Sequence, residues 1–275
     1  MRTLSAVPIG RLRDDLVGRG IHAVTLPDVM ELTGLSRSAA TEAMRRSRAA
    51  GQFFAPAPGL YVAIPSEYSA WGVVPAMDFI DQMMRFLGRS YYVGLLSAAE
   101  LHGAAHQRPQ VFQVMVDRAV ADRDIERVRL RFHERSALDD AQVELRNSAT
   151  AQVRVSTPEV TAFDLVARPH DSGALFNVAT VMGELAEAGK LDAAKLRDLA
   201  PQYPLAVVRR LGWLLDRVAG YVDTATLAEP LHDFVHAKQV TGRRAVDLLA
   251  AGGERRGPTD RKWGLVENTL VEPDL

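Results

Sequence analysis

The chain contains no cysteine. That absence excludes disulfides, thiolate nucleophiles, iron–sulfur clusters and every cysteine-based zinc site together. It suits a reducing cytoplasm. Lysine is scarce, with only Lys190, Lys195, Lys238 and Lys262. No uncharged apolar run approaches the roughly 20 residues that a spanning helix needs. The N-terminal MRTLSAVPIGRLRDD meets charge before an apolar signal region can form. A cytoplasmic protein with no membrane partner is therefore expected. Net charge is nearly lacking as well, at −1, and averaged over the chain this argues against a nucleic-acid binder.

The average conceals a split. Residues 1–64 hold eight arginines against three Asp and two Glu, a net of +3. The remaining 211 residues hold 25 basic and 29 acidic side chains, a net of −4. Such asymmetry points to different partners for the two parts. At roughly 150 residues per domain, a chain of 275 residues holds about two. Its 47% hydrophobic and 24% charged residues supply ordinary core material.

Ile9, Leu12, Leu16 and Val17 stand at helical spacing before Gly18 and Gly20. Thr25, followed by Leu26-Pro27-Asp28, opens a second, short helix that Gly34 ends in a tight turn. Ser36 caps a third helix running to about Ala50, closed by Gly51. Phe53-Phe54 and Leu60–Ala63 flank the turn-forming Ala55–Gly59 and read as a hairpin. Helix, short helix, glycine turn, basic helix and hairpin follow the order of a winged helix-turn-helix.

On the third helix Ala40, Ala43, Met44 and Ser47 are suited to packing. Arg37, Thr41, Arg45 and Arg48 fall four, four and three residues apart on another face. Such a helix can enter a major groove, where Arg pairs with guanine or phosphate. A solvated surface helix has the same pattern, and winged helices also serve as protein-docking modules.

Residues 65–75, rich in proline and without a period, read as a linker between residues 1–64 and 76–275. Helices are expected over 77–87 and 90–103. Strands are expected at 111–116, 127–132, 143–146 and 152–155, forming a small antiparallel sheet. In the second, Val128, Leu130 and Phe132 alternate with Arg127, Arg129 and Arg131. Helices follow at 158–167, 174–188, 193–199, 205–219, 226–236 and 243–249, with a strand-like run at 263–272. The fold class is thus α+β, a winged helix followed by a larger mixed domain with a helical C-terminal part.

Catalytic patterns are missing. His102/His106 and His232/His236 have the i, i+4 spacing of zinc ligands, but no glutamate stands where a zincin needs its base. Packed or solvated histidines are the simpler account, and no metal site is assigned. There is no phosphate-binding glycine loop or nucleophile elbow. A nuclease would use acids at strand ends, such as Asp117 and Glu134, with a nearby lysine. No lysine lies within 111–155, and arginine deprotonates far less readily. No catalytic residue and no cofactor is assigned, and binding is favoured over catalysis.

Three stretches together are specific. Tyr91–Ala99 (YYVGLLSAA) with Leu101–Val114 (LHGAAHQRPQVFQV), Ser156–Leu165 (STPEVTAFDL) and Trp263–Asn268 (WGLVEN) resemble AbiEi-family antitoxins. The resemblance covers nearly the whole chain. It implies a non-enzymatic antitoxin paired with a nucleotidyltransferase-like toxin in an abortive-infection system. It further implies a winged helix that represses its own operon at inverted repeats in double-stranded promoter DNA, filled by cooperative monomers or a weak dimer. By analogy Ser36, Arg37, Ser38, Thr41, Arg45, Arg46 and Arg48 would read the operator, and Tyr61 on the wing would touch backbone. This sequence departs from the family in its outward Arg127, Arg129, Arg131 and Arg135, which would extend the DNA footprint past the first domain. The rival readings are a ligand- or partner-sensing regulator without a toxin, and a DNA nuclease.

Overall fold

The structure, a computed structural model, describes residues 6–104, 109–135, 138, 143–222, 224–240 and 246–274. By contact the chain falls into two units, Met1–Val93 with Gln110–Val155, and Gly94–Pro109 with Ser156–Leu275. The first unit therefore gathers residues from both sides of the 65–75 segment.

That unit begins with α1 (Leu12–Gly18), β1 (Ala23–Thr25), α2 (Leu26–Thr33) and α3 (Arg37–Ala49). Thr25 caps α2 reciprocally: Asp28 N donates to its hydroxyl, and Thr25 N donates to the Asp28 carboxylate at 2.7 Å. Gly34, with φ of 71°, ends α2 in a left-handed conformation that a side chain would strain. β2 (Phe53–Ala57) and β3 (Leu60–Ala63) pair antiparallel, with an irregularity between Phe54 and Ala57 where Pro56 sits. β1 joins the other edge of β3, giving the order β1-β3-β2. Three residues are too few to show a strand period, so β1 had no signal in the sequence. Leu12, Leu16, Val29, Ala40, Met44 and Phe53 share one buried core.

Residues 65–75 hold one 3-10 turn, Ser66–Tyr68, yet Val73 and Val74 are buried. The helix expected from 77 is shorter, α4 (Ile80–Phe86), preceded by a 3-10 turn. The helix expected over 90–103 is corrected. Tyr91-Tyr92-Val93 is strand β4, as aromatic and β-branched residues favour, and only Leu95–Leu101 is helical (α5, in the second unit).

The expected small antiparallel sheet is also corrected. It has six strands and mixed direction: β4, β5 (Phe112–Val116), β6 (Arg123–Ile125), β7 (Val128–Glu134), β8 (Val143–Asn147) and β9 (Gln152–Ser156), ordered β6-β7-β5-β4-β9-β8. β5 runs parallel to β7, with Val114 opposite Phe132, and β4 runs parallel to β9. The cause is the short hairpin β6–β7, which turns the chain so that β7 enters alongside β5 in the same direction.

The second unit is largely helical. After α5 come α6 (Pro158–Ala167), α7 (Ala174–Glu187), α8 (Ala193–Leu199), α9 (Leu205–Val218) and α10 (Ala225–Val240). Thr157 caps α6 by accepting from Val160 N. Three two-residue strands, β10 (Asp247–Leu248), β11 (Thr259–Asp260) and β12 (Leu265–Val266), close the unit in the order β10-β12-β11. The helix expected over 243–249 is thus a strand at 247–248; residues 243–245 lie outside the described residues. The strand-like run 263–272 narrows to Leu265–Val266, because Trp263 is drawn inward and is fully buried. No helix among the described residues is long and apolar enough to cross a membrane.

Candidate nucleic-acid interface

The third helix is built as a presented surface. Ser36 stands before it in extended conformation, and its hydroxyl accepts from Ala39 N at 3.4 Å. Ala40, Ala43, Met44 and Ser47 are buried on one side. At about 100° per residue, Arg37, Thr41, Arg45 and Arg48 form a row within an arc of roughly 80° that flanks the buried stripe. All four are exposed, as are Ser36 and Ser38. Arg46 is exposed too, but lies about 100° round from Arg45, away from the row.

The row is electrostatically uneven. Arg45 donates twice to Glu42, at 2.9 and 2.7 Å, from an exposed position. That hydrogen bonding holds the Glu42 carboxyl below its usual value and raises the Arg45 guanidinium. Exposed pairs of this kind are weak and yield to a competing phosphate. Arg37, Arg46 and Arg48 make no ion pair with the described residues. Thr41 donates to Arg37 O at 2.8 Å, leaving its oxygen lone pairs outward.

Tyr61 is placed differently from expectation. Its strand is buried along its length, and the residue is 9% exposed within the α1–α3 core. It packs; it is not presented on a wing surface. The outward arginines in and beside β7 are also partly committed. Arg131 pairs with Asp124 at 2.7 Å and Asp122 at 3.7 Å, which depresses the Asp124 carboxyl. Arg135 donates to the Tyr92 hydroxyl at 2.6 Å. Arg127 and Arg129 remain exposed.

Among the described residues no group of three or more His, Asp or Glu could hold a metal ion. His102 is buried and donates through Nε2 to Ser156 O at 2.8 Å. His106 lies outside the described residues. His232 packs edge-on against Trp263, with ring centroids 5.6 Å apart.

The model of the AbiEi antitoxin C-terminal domain matches residues 92–217. This stretch is similar to AbiEi antitoxin C-terminal domains. The AbiEi match begins in β4 and runs to the last turn of α9, so it takes in all of YYVGLLSAA but Tyr91, and all of STPEVTAFDL, and supports an antitoxin role in a toxin–antitoxin pair. Trp263–Asn268 and the arginine row of α3 both lie outside the AbiEi match. Over 94% of the chain the fold is that of the RV2827C protein from Mycobacterium tuberculosis, known from a crystal structure. The two share 17% identity at a TM-score of 0.67, covering 91% of that chain. No curated protein sequence matches significantly.

Proposed function

We propose that the chain is a DNA-binding antitoxin that represses its own operon. In this reading residues 1–64 work as a winged helix-turn-helix, residues 65–75 as a connector and residues 76–275 as the antitoxin part. The observation that carries it is the exposed Arg37/Thr41/Arg45/Arg48 row on a capped helix, in a chain that also bears an AbiEi domain. α3 enters a major groove of promoter DNA. Ser36 and Ser38 meet phosphate near its N-terminus, and the arginines read bases or grip backbone. Inverted repeats are filled by monomers binding cooperatively or by a weak dimer. The partner neutralised is a nucleotidyltransferase-like toxin, and the setting is cytoplasmic.

A titration of labelled promoter fragment against random duplex tests the repressor half. Arg45→Ala weakens promoter binding by about 1–3 kcal/mol if Arg45 reads a base, or flattens the salt slope by about one if it grips phosphate. Equal affinity for promoter and random DNA refutes operator reading. Growth rescue on co-expression with the neighbouring gene tests the antitoxin half.

A further inference from the structure

The first unit holds a cavity of about 330 Å³ between α4 and the β4, β9 and β8 edge of the sheet. Three arginines reach it, Arg85, Arg89 and Arg154, against one carboxylate, Asp81. That carboxylate is already committed: one oxygen pairs with Arg85 at 2.8 Å, and the other accepts from the Tyr91 hydroxyl at 3.0 Å. Arg154 is anchored by donating Nε to Tyr91 O at 3.0 Å. Arg89 is half-buried and makes no ion pair with the described residues; its Nη1 donates to Gly88 O at 3.4 Å, while its Nε is buried with no hydrogen-bond partner. Burying a charged donor without an acceptor is costly, so a cavity beside such a group calls for an anion. Leu145 lines the same cavity and is 57% exposed, a large apolar side chain on a solvent-facing wall.

We infer that this cavity binds a small phosphate ester, its phosphate received by Arg85, Arg89 and Arg154 and its organic part lying against Leu145. Guanidinium groups match phosphate oxygens in pairs, which disfavours a halide, and three of them around one site suit the higher charge and three terminal oxygens of a phosphate better than a carboxylate. The recessed Arg89 decides between a free phosphate ester and a duplex. A terminal phosphate enters a concave site, whereas a backbone phosphodiester is held back by the sugars on either side.

Calorimetric titration of the full-length protein with inorganic phosphate, adenosine monophosphate and adenosine tests the assignment. Adenosine monophosphate is expected to bind more tightly than inorganic phosphate, and adenosine not at all. Arg89→Gln is expected to weaken adenosine monophosphate by about tenfold or more, the usual loss of one charge-assisted contact. Leu145→Asp, at an exposed position, is expected to weaken it similarly, and Leu145→Lys to preserve or strengthen it. No binding of either phosphate at millimolar concentration overturns the assignment. So does unchanged affinity for adenosine monophosphate in Leu145→Asp.

Discussion

Replacing Gly212 by alanine sets two familiar effects against each other at a place where their sizes can be compared. Gly212 is buried within α9. On an exposed helix the change would stabilise by about 0.5–1 kcal/mol, through helix propensity. Here a Cβ would stand 2.1 Å from one ring carbon of Trp263, 2.2 Å from another and 2.6 Å from a third. These are far inside van der Waals contact, and the obstacle is a rigid indole. Trp263 is fully buried, and its Nε1 donates to Asp216 at 2.6 Å. Lys262 pairs with the same Asp216 oxygen at 2.6 Å, and His232 packs on the ring. The ring cannot slide without breaking these contacts. If it stays, overpacking costs about 1–3 kcal/mol. If it leaves, the loss approaches the ~3–5 kcal/mol of deleting a buried Trp.

After subtracting the propensity gain, the first case leaves about 0–2.5 kcal/mol and the second about 2–4.5; contacts this short force the ring out, so Gly212→Ala is expected to destabilise by about 2–4.5 kcal/mol. With a urea slope of about 1–3 kcal/mol per molar, the unfolding midpoint falls by about 1–2 M. Tryptophan emission followed through a urea titration reads it directly, and a red-shifted native spectrum reports expulsion of Trp263. An unchanged or raised midpoint refutes the reasoning. The perturbation also bears on function. Gly212 lies inside the AbiEi match and Trp263 outside it, so loss of toxin rescue at growth temperature would show that the antitoxin domain needs its closing segment.

The remaining predictions concern α3 and one helix cap. Glu42→Gln releases Arg45 and removes a negative charge beside the row, so duplex affinity rises about two- to fivefold at low salt, and the gain shrinks as salt is added; a fluorescence anisotropy titration at two salt concentrations checks it. Ser36→Ala removes the cap of α3 and lowers stability by about 1 kcal/mol, seen as a lower urea midpoint. Asp192 accepts from Lys195 N at 2.9 Å, which holds its carboxyl below the usual value. Its stabilisation is therefore present above the unfolded pKa of about 4 and lost as pH falls through the lower folded value. Urea midpoints between pH 6 and 3 should fall less steeply in Asp192→Asn.

Local chemistry made the helices around α3 legible. A hydroxyl and a carboxylate three residues apart at Thr25 and Asp28, glycine at 34 and serine at 36 each act on neighbouring backbone, so their effect is written within a few residues. Signals set by distant partners were not legible. Tyr61 looked like a wing residue because β3 is covered on both faces, and a strand buried throughout has no alternation to read. Arg135 looked free because its acceptor, the Tyr92 hydroxyl, is 43 residues away. The parallel pairing of β5 and β7 depended on a three-residue strand rich in charge, below the length at which periodicity can be counted. The arginine cavity joins α4 to the β8–β9 edge across about 60 residues of sequence, and no local pattern marks it.

Regrouping charge by fold sharpens the reading of the near-zero total. The first unit, Met1–Val93 with Gln110–Val155, carries a net of +2, and the second a net of −3. The asymmetry therefore survives the redrawn grouping, but its source narrows. Within residues 110–155 eight arginines face eight acidic residues and cancel, as the Arg131 pairs with Asp122 and Asp124 illustrate. The excess positive charge comes from residues 1–64, where α3 alone holds four arginines against one glutamate. A DNA footprint extended along β7 would have to rely on Arg127 and Arg129 in a segment with no charge to spare. The field that draws a phosphate backbone falls off within a Debye length of about 10 Å at 0.1 M salt. Under the proposed DNA-binding reading, the local excess around α3, and not the chain's total, would decide where a duplex is drawn.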